Sequence, residues 1–166
     1  MEPKDAMFQT LHRTLRKTPV RILYHWAKSC LRVSGQSDES DIILDLVAAE
    51  SAPLTFVEFG FHPTEFNCIA LRDKASGLLI DGDHTTVKLA KSLLPENVAV
   101  VHRFLTLDNL DFIRTKFEKI GVLSIDVDGN DYWFLKALIE VDPSVISVEY
   151  NASFGLRSLS FHVPGP

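Results

Sequence analysis

The spacing of apolar residues changes near residue 54, and the change divides the chain. Before it, apolar positions recur at helical intervals. Phe8, Leu11 and Leu15 share one stripe, interrupted at Pro19. Ile22, Leu23, Trp26, Ala27, Cys30 and Leu31 form a stronger stripe, closed by Gly35. Asp38, Glu39 and Asp41 then favour a third helix start through the macrodipole, with Ile42, Ile43, Leu46 and Val47 facing inward. From Leu54 the pattern becomes short apolar runs, which predict strands at 54–60, 78–81, 98–102, 121–126 and 145–150. Helices are expected near 64–74, 84–93, 108–120 and 131–141. Short strands joined by single helices imply βαβ units, hence an α/β, Rossmann-like parallel sheet in order 3-2-1-4-5. The expected division is a helical cap over 1–52 and a core over 53–166.

Composition narrows the classes. A chain of 166 residues with 46% hydrophobic content suits one globular domain of ordinary make-up. No apolar run reaches the ~20 residues needed to span a membrane, and no secretory signal is visible. A net charge of −5 gives no reason to expect a nucleic-acid partner. Cys30 and Cys68 have no metal-binding spacing; their surroundings suggest buried helix faces, reduced thiols and a cytoplasmic protein. Residues 1–32 hold seven Lys/Arg against Glu2 and Asp5, while the remainder holds ten against twenty acids. A solvated helical face accounts for such a basic arm more simply than a binding role.

Right-handed crossovers bring the C-terminal ends of all the strands to one rim. That rim collects Glu58 and Gly60, Asp81 and Asp83, the stretch from His102 to Thr106, Asp126 and Asp128, and Glu149 and Asn151. The densest piece is Asp126-Val127-Asp128-Gly129-Asn130-Asp131. Three acids and an amide there repel one another and lose hydration unless a cation, a ligand hydroxyl or a helix N-terminus compensates them. Asn130 or Asp131 is expected to cap the following helix, leaving another of these residues to face a ligand. Asp81 lies 21 residues beyond Gly60, a spacing at which a carboxylate meets a ribose in nucleotide-binding βαβ units.

Four segments together resemble class I S-adenosylmethionine-dependent methyltransferases, and within them the FkbM-like O-methyltransferases. They are Phe56-Val57-Glu58-Phe59-Gly60, Gly77-Leu78-Leu79-Ile80-Asp81-Gly82-Asp83, the stretch from Leu123 to Trp133, and Val148-Glu149-Tyr150-Asn151-Ala152. The resemblance implies that the turn from Glu58 to Gly60 holds the methionine part of S-adenosylmethionine. It implies that Asp81 and Asp83 hold the ribose, and that the loop with Thr106 and Asp108 borders adenine. Asp126 would lie by the methyl group as the catalytic carboxylate, with His62 as a second candidate base. Asp128, Asn130, Glu149 and Asn151 would meet a small-molecule or sugar hydroxyl. No metal is expected.

The chain departs from the family at two places. His62 and Thr64 stand where further glycines are usual, which narrows the cleft. Only residues 151–166 follow Tyr150, so the usual C-terminal antiparallel hairpin is expected to be missing. An apolar fifth strand would then form an edge, and a homodimer through that edge is expected. Other readings fit parts of the same residues. A haloacid-dehalogenase-like nucleophile loop fits Asp126 and Asp128 but has Asn130 where Thr is usual and no acidic pair downstream. An EF-hand loop fails at Asp131 and Ala137. The non-enzymatic alternative is a degenerate methyltransferase-like scaffold that acts by binding.

Overall fold

A computed structural model describes residues 39–127 and 129–149. The first two expected helices, Asp128 and Asn151 lie outside the described residues. Five strands form one sheet: β1 (Thr55–Phe59), β2 (Ser76–Asp81), β3 (Val98–His102), β4 (Val122–Ile125) and β5 (Val145–Val148). Their order is β3-β2-β1-β4-β5, every pairing is parallel, and the expected order is therefore the observed one. The helices are α1 (Glu39–Ala49), α2 (His84–Leu93), α3 (Asp111–Arg114) and α4 (Asp131–Leu138).

Strand residues alternate between two cores because successive side chains leave opposite faces of a sheet. Phe56, Leu79, Val98, Val122 and Val145 pack with Ile43 and Val47 of α1 and Val87 and Ala90 of α2. Val57, Phe59, Ile80, Leu123 and Ile125 pack on the other face with Ile113 of α3 and Phe134 and Leu138 of α4. Phe56 and Phe59 are fully buried on opposite faces, and each such burial contributes roughly 1.5–3 kcal/mol. β5 is an edge of the described sheet, and Ile146 on it is exposed. Helix α2 has the limits expected for it. Asp83 starts it by accepting from the Thr85 and Thr86 amides, and Leu94, extended ahead of Pro95, stops it.

Two expected helices are corrected. Residues 64–74 carry turns and a 3-10 turn at Ile69–Leu71, with no α-helix. Phe66, Cys68 and Leu71 are all buried there, a spacing no single helical stripe provides. The Asn67 and Cys68 amides are also taken by the Glu58 carboxylate, so neither is left for a helical ladder. Cys68 is accordingly buried, but in a turn and not on a helix face. The stretch 108–120 likewise reduces to a 3-10 turn at Leu107–Asn109 and the four-residue α3.

Candidate functional site

The strand order reverses between β1 and β4, which opens a crevice at their C-terminal ends. Gly60 sits in it. Its φ is +79°, and a Cβ there would collide with the Asp126 carbonyl oxygen. The Asp126 amide donates to the Phe59 carbonyl at 3.1 Å and the Gly60 amide to the Ile80 carbonyl at 3.3 Å. The glycine therefore permits close approach of two backbones at the junction of β1, β2 and β4.

Two clefts share Gly60. The first, about 550 Å³, is lined by Ile80, Asp81, Gly82 and Asp83 after β2, Arg103, Phe104 and Leu105 after β3, and Val127, Asn130 and Phe134 from the β4–α4 connection. Asp81 Oδ1 accepts the Asp83 amide at 2.6 Å. Asp83 is occupied as the α2 cap, accepting from the Thr85 amide at 3.1 Å and from the Thr86 amide and hydroxyl at 3.3 and 2.9 Å. Phe104 is 79% exposed beside this cleft, and the Arg103 guanidinium lies 4.2 Å over the Phe112 ring.

The second cleft, about 430 Å³, opens on the α1 side. Glu39, Glu58, Glu65, Asp126 and Glu149 line it with Phe61, Phe66, Asn67 and Ile69. Glu58 is buried and accepts the Asn67 and Cys68 amides, one on each oxygen, both at 2.8 Å. Burial pushes its carboxyl above the usual carboxylate range; the Cys68 and Asn67 amides and the Cys68 thiol pull it partly back, and the Glu39 charge pushes it further up. Burial likewise raises the Cys68 thiol, and the adjacent Glu58 adds to the effect.

The structure brings Gly60, Asp81, Asp83 and Asn130 to the first cleft and Glu58, Gly60, Asp126 and Glu149 to the second. Thr106 and Asp108 line neither; Thr106 instead forms a capping box with Asn109. His62 lines neither as well, and its Nδ1 lies 3.2 Å from the Thr64 hydroxyl. In the acidic loop, Asn130 makes no side-chain cap bond. Asp131 accepts the Val127 amide at 2.9 Å and the Gly129 amide at 3.0 Å, so it holds the loop before the helix. Sequence reading placed the stretch from His102 to Thr106 on the rim but gave Arg103 and Phe104 no role of their own. Among the described residues, no group of three or more His, Cys, Asp or Glu side chains is arranged to hold a metal.

Asp83→Ala is expected to lower stability by about 1 kcal/mol, the usual cost of a lost N-cap. Urea unfolding measures it, and an unchanged midpoint would contradict the capping role.

No family model and no curated protein matches this sequence. A solved structure does. The crystal structure of a "putative caffeoyl-CoA O-methyltransferase" from Staphylococcus aureus is similar with a TM-score of 0.54, over 93% of this chain and 76% of that one, at 14% identity. At that identity the likeness shows the fold alone, a Rossmann-like parallel α/β sheet.

Proposed function

We propose that the chain transfers a methyl group from S-adenosylmethionine to a hydroxyl oxygen of a small molecule or sugar, as an FkbM-like O-methyltransferase. The observation that carries this is the meeting of two unlike clefts at Gly60, at the point where the strand order reverses. The neighbouring fold, named for O-methyl transfer, supports the same reading.

The first cleft fits a nucleoside. Asp81 supplies a carboxylate for a ribose diol, while Ile80, Phe104, Leu105 and Phe134 offer apolar walls for a base. When bound, the sulfonium supplies an electrophilic methyl group. Across Gly60, Asp126 takes the proton of the acceptor hydroxyl. Glu149 on the acidic side and Asn130 on the nucleoside side orient the acceptor, a role that the same proposal extends to Asp128 and Asn151. Because His62 is engaged with Thr64 and lines neither cleft, the proposal gives the base role to Asp126 alone. Cation-attracting carboxylates around the junction favour a sulfonium over a neutral thioether.

Calorimetry with S-adenosylmethionine and S-adenosylhomocysteine tests the proposal. One site per chain is expected for each nucleoside. Absence of heat from both at millimolar concentration would remove the enzyme and leave the binding scaffold.

A further inference from the structure

We infer that the outer face of α1 is the docking surface for residues 22–31 of this chain, laid antiparallel across it as one arm of a helical hairpin. The inference is independent of methyl transfer. Helix α1 carries two apolar stripes. Ile43 and Val47 face the sheet and are buried in the core. Ile42, Leu46 and Ala49 fall at i, i+4 and i+7 on a second stripe, turned about 100° from the first. Ile42 is 55% exposed, Leu46 is 43% exposed, and Ala49 is exposed as well. A helix that is apolar on two sides belongs between two layers, and the sheet supplies one of them. Glu39 and Ser40 line the acidic cleft from the start of α1, so an arm docked on α1 backs one wall of that cleft.

Pattern, reach and charge all select residues 22–31 as the second layer. Ile22, Leu23, Trp26, Ala27, Cys30 and Leu31 form the stronger of the two stripes that precede α1. A helix of that length is marginal alone in water, so it forms only where this face is buried. Seven residues, 32–38, join it to α1, with Ser34, Gly35 and Ser37 among them. A connection within the roughly 2–8 residues usual in bundles returns a helix antiparallel to its neighbour. Folding back about that turn sets Cys30 beside Ile42, Trp26 beside Leu46 and Leu23 beside Ala49. Residues 17–32 hold Lys17, Arg21, Lys28 and Arg32 and no acid, whereas residues 39–50 hold Glu39, Asp41, Asp45 and Glu50 and no base. The antiparallel arrangement puts Arg32 near Asp41 and Lys28 near Asp45. Exposed pairs of this kind add little strength but select the partner. A second copy of α1 on the same stripe would instead set acid against acid.

Maleimide labelling of the full chain, read peptide by peptide in a mass spectrometer, follows Cys30 and Cys68 separately. Cys68 is buried in the sheet core and reports on its integrity. Cys30 is expected to be protected in the wild type. Leu46→Asp should speed its labelling by about tenfold or more, the effect of unburying one leucine. Leu46→Met, of similar volume, should leave Cys30 protected. Cys68 should stay protected throughout, and the protection of Cys30 should not vary with protein concentration. Wild-type labelling of Cys30 as fast as in an unfolded peptide would overturn the inference. So would unchanged protection in Leu46→Asp, which would bury the stripe elsewhere. Protection lost on dilution would also overturn it and assign the face to a second copy. Should Leu46→Asp expose Cys68 too, the milder Ile42→Ala decides by the same reading.

Discussion

Gly60→Ala is expected to lower the free energy of unfolding by roughly 2–5 kcal/mol, a large share of the 5–15 kcal/mol typical of a domain. Two effects combine. An L-residue at φ +79° costs about 1–2 kcal/mol of backbone strain. The added methyl would also meet the Asp126 carbonyl oxygen, which is backbone and is held by the Asp126 amide bond to Phe59. Relief requires β1 and β4 to part, and overpacking of that kind costs about 1–3 kcal/mol more. Gly129 is the internal control. Its φ is +95°, yet beyond its chain neighbours no heavy atom of the described residues lies within 4 Å of a Cβ there. Gly129→Ala should therefore cost only the backbone strain, about 1–2 kcal/mol. Urea unfolding of both variants compares them, and equal losses would refute close approach as the reason for Gly60. Ligand binding in both clefts should also fail in Gly60→Ala, because Gly60 lines each of them.

Asp81→Ala is expected to weaken S-adenosylhomocysteine binding about ten- to a hundredfold. The basis is the loss of a charged hydrogen-bond acceptor, about 1.5–3 kcal/mol. Asp83→Ala is the matched control, since both residues line the nucleoside cleft but Asp83 is spent on the helix cap. It should lose stability while holding affinity within about threefold, under 1 kcal/mol. Asp81→Asn keeps an oxygen for the Asp83 amide and should fall between wild type and Asp81→Ala in affinity. Calorimetry separates these outcomes. Wild-type affinity in Asp81→Ala would remove the ribose assignment, and an equal loss in Asp83→Ala would show that the two carboxylates act together.

Legibility in the sequence followed the range of the interactions. The five strands, their parallel order and the limits of α2 rest on local signals: apolar runs, a cap residue, a proline and the handedness of crossovers. The rim that carries Asp81, Asp126 and Glu149 followed from those signals, because parallel strands must end together. Tertiary structure decided the rest. Residues 64–74 contain helix-forming residues, but buried Glu58 captures two of their amides, and Phe66, Cys68 and Leu71 are drawn into one core. The resemblance puts Gly60 in a turn that meets a ligand; its neighbour in the fold is the carbonyl of Asp126, brought there by β1–β4 pairing. The acids of the rim look alike in sequence, yet Asp83 is a cap, Asp131 closes a loop, and Asp81 and Asp126 line different clefts. Local pattern specifies which residues can form strands and caps. It does not specify which distant backbone donors a carboxylate will meet, and that choice is made by packing around the sheet.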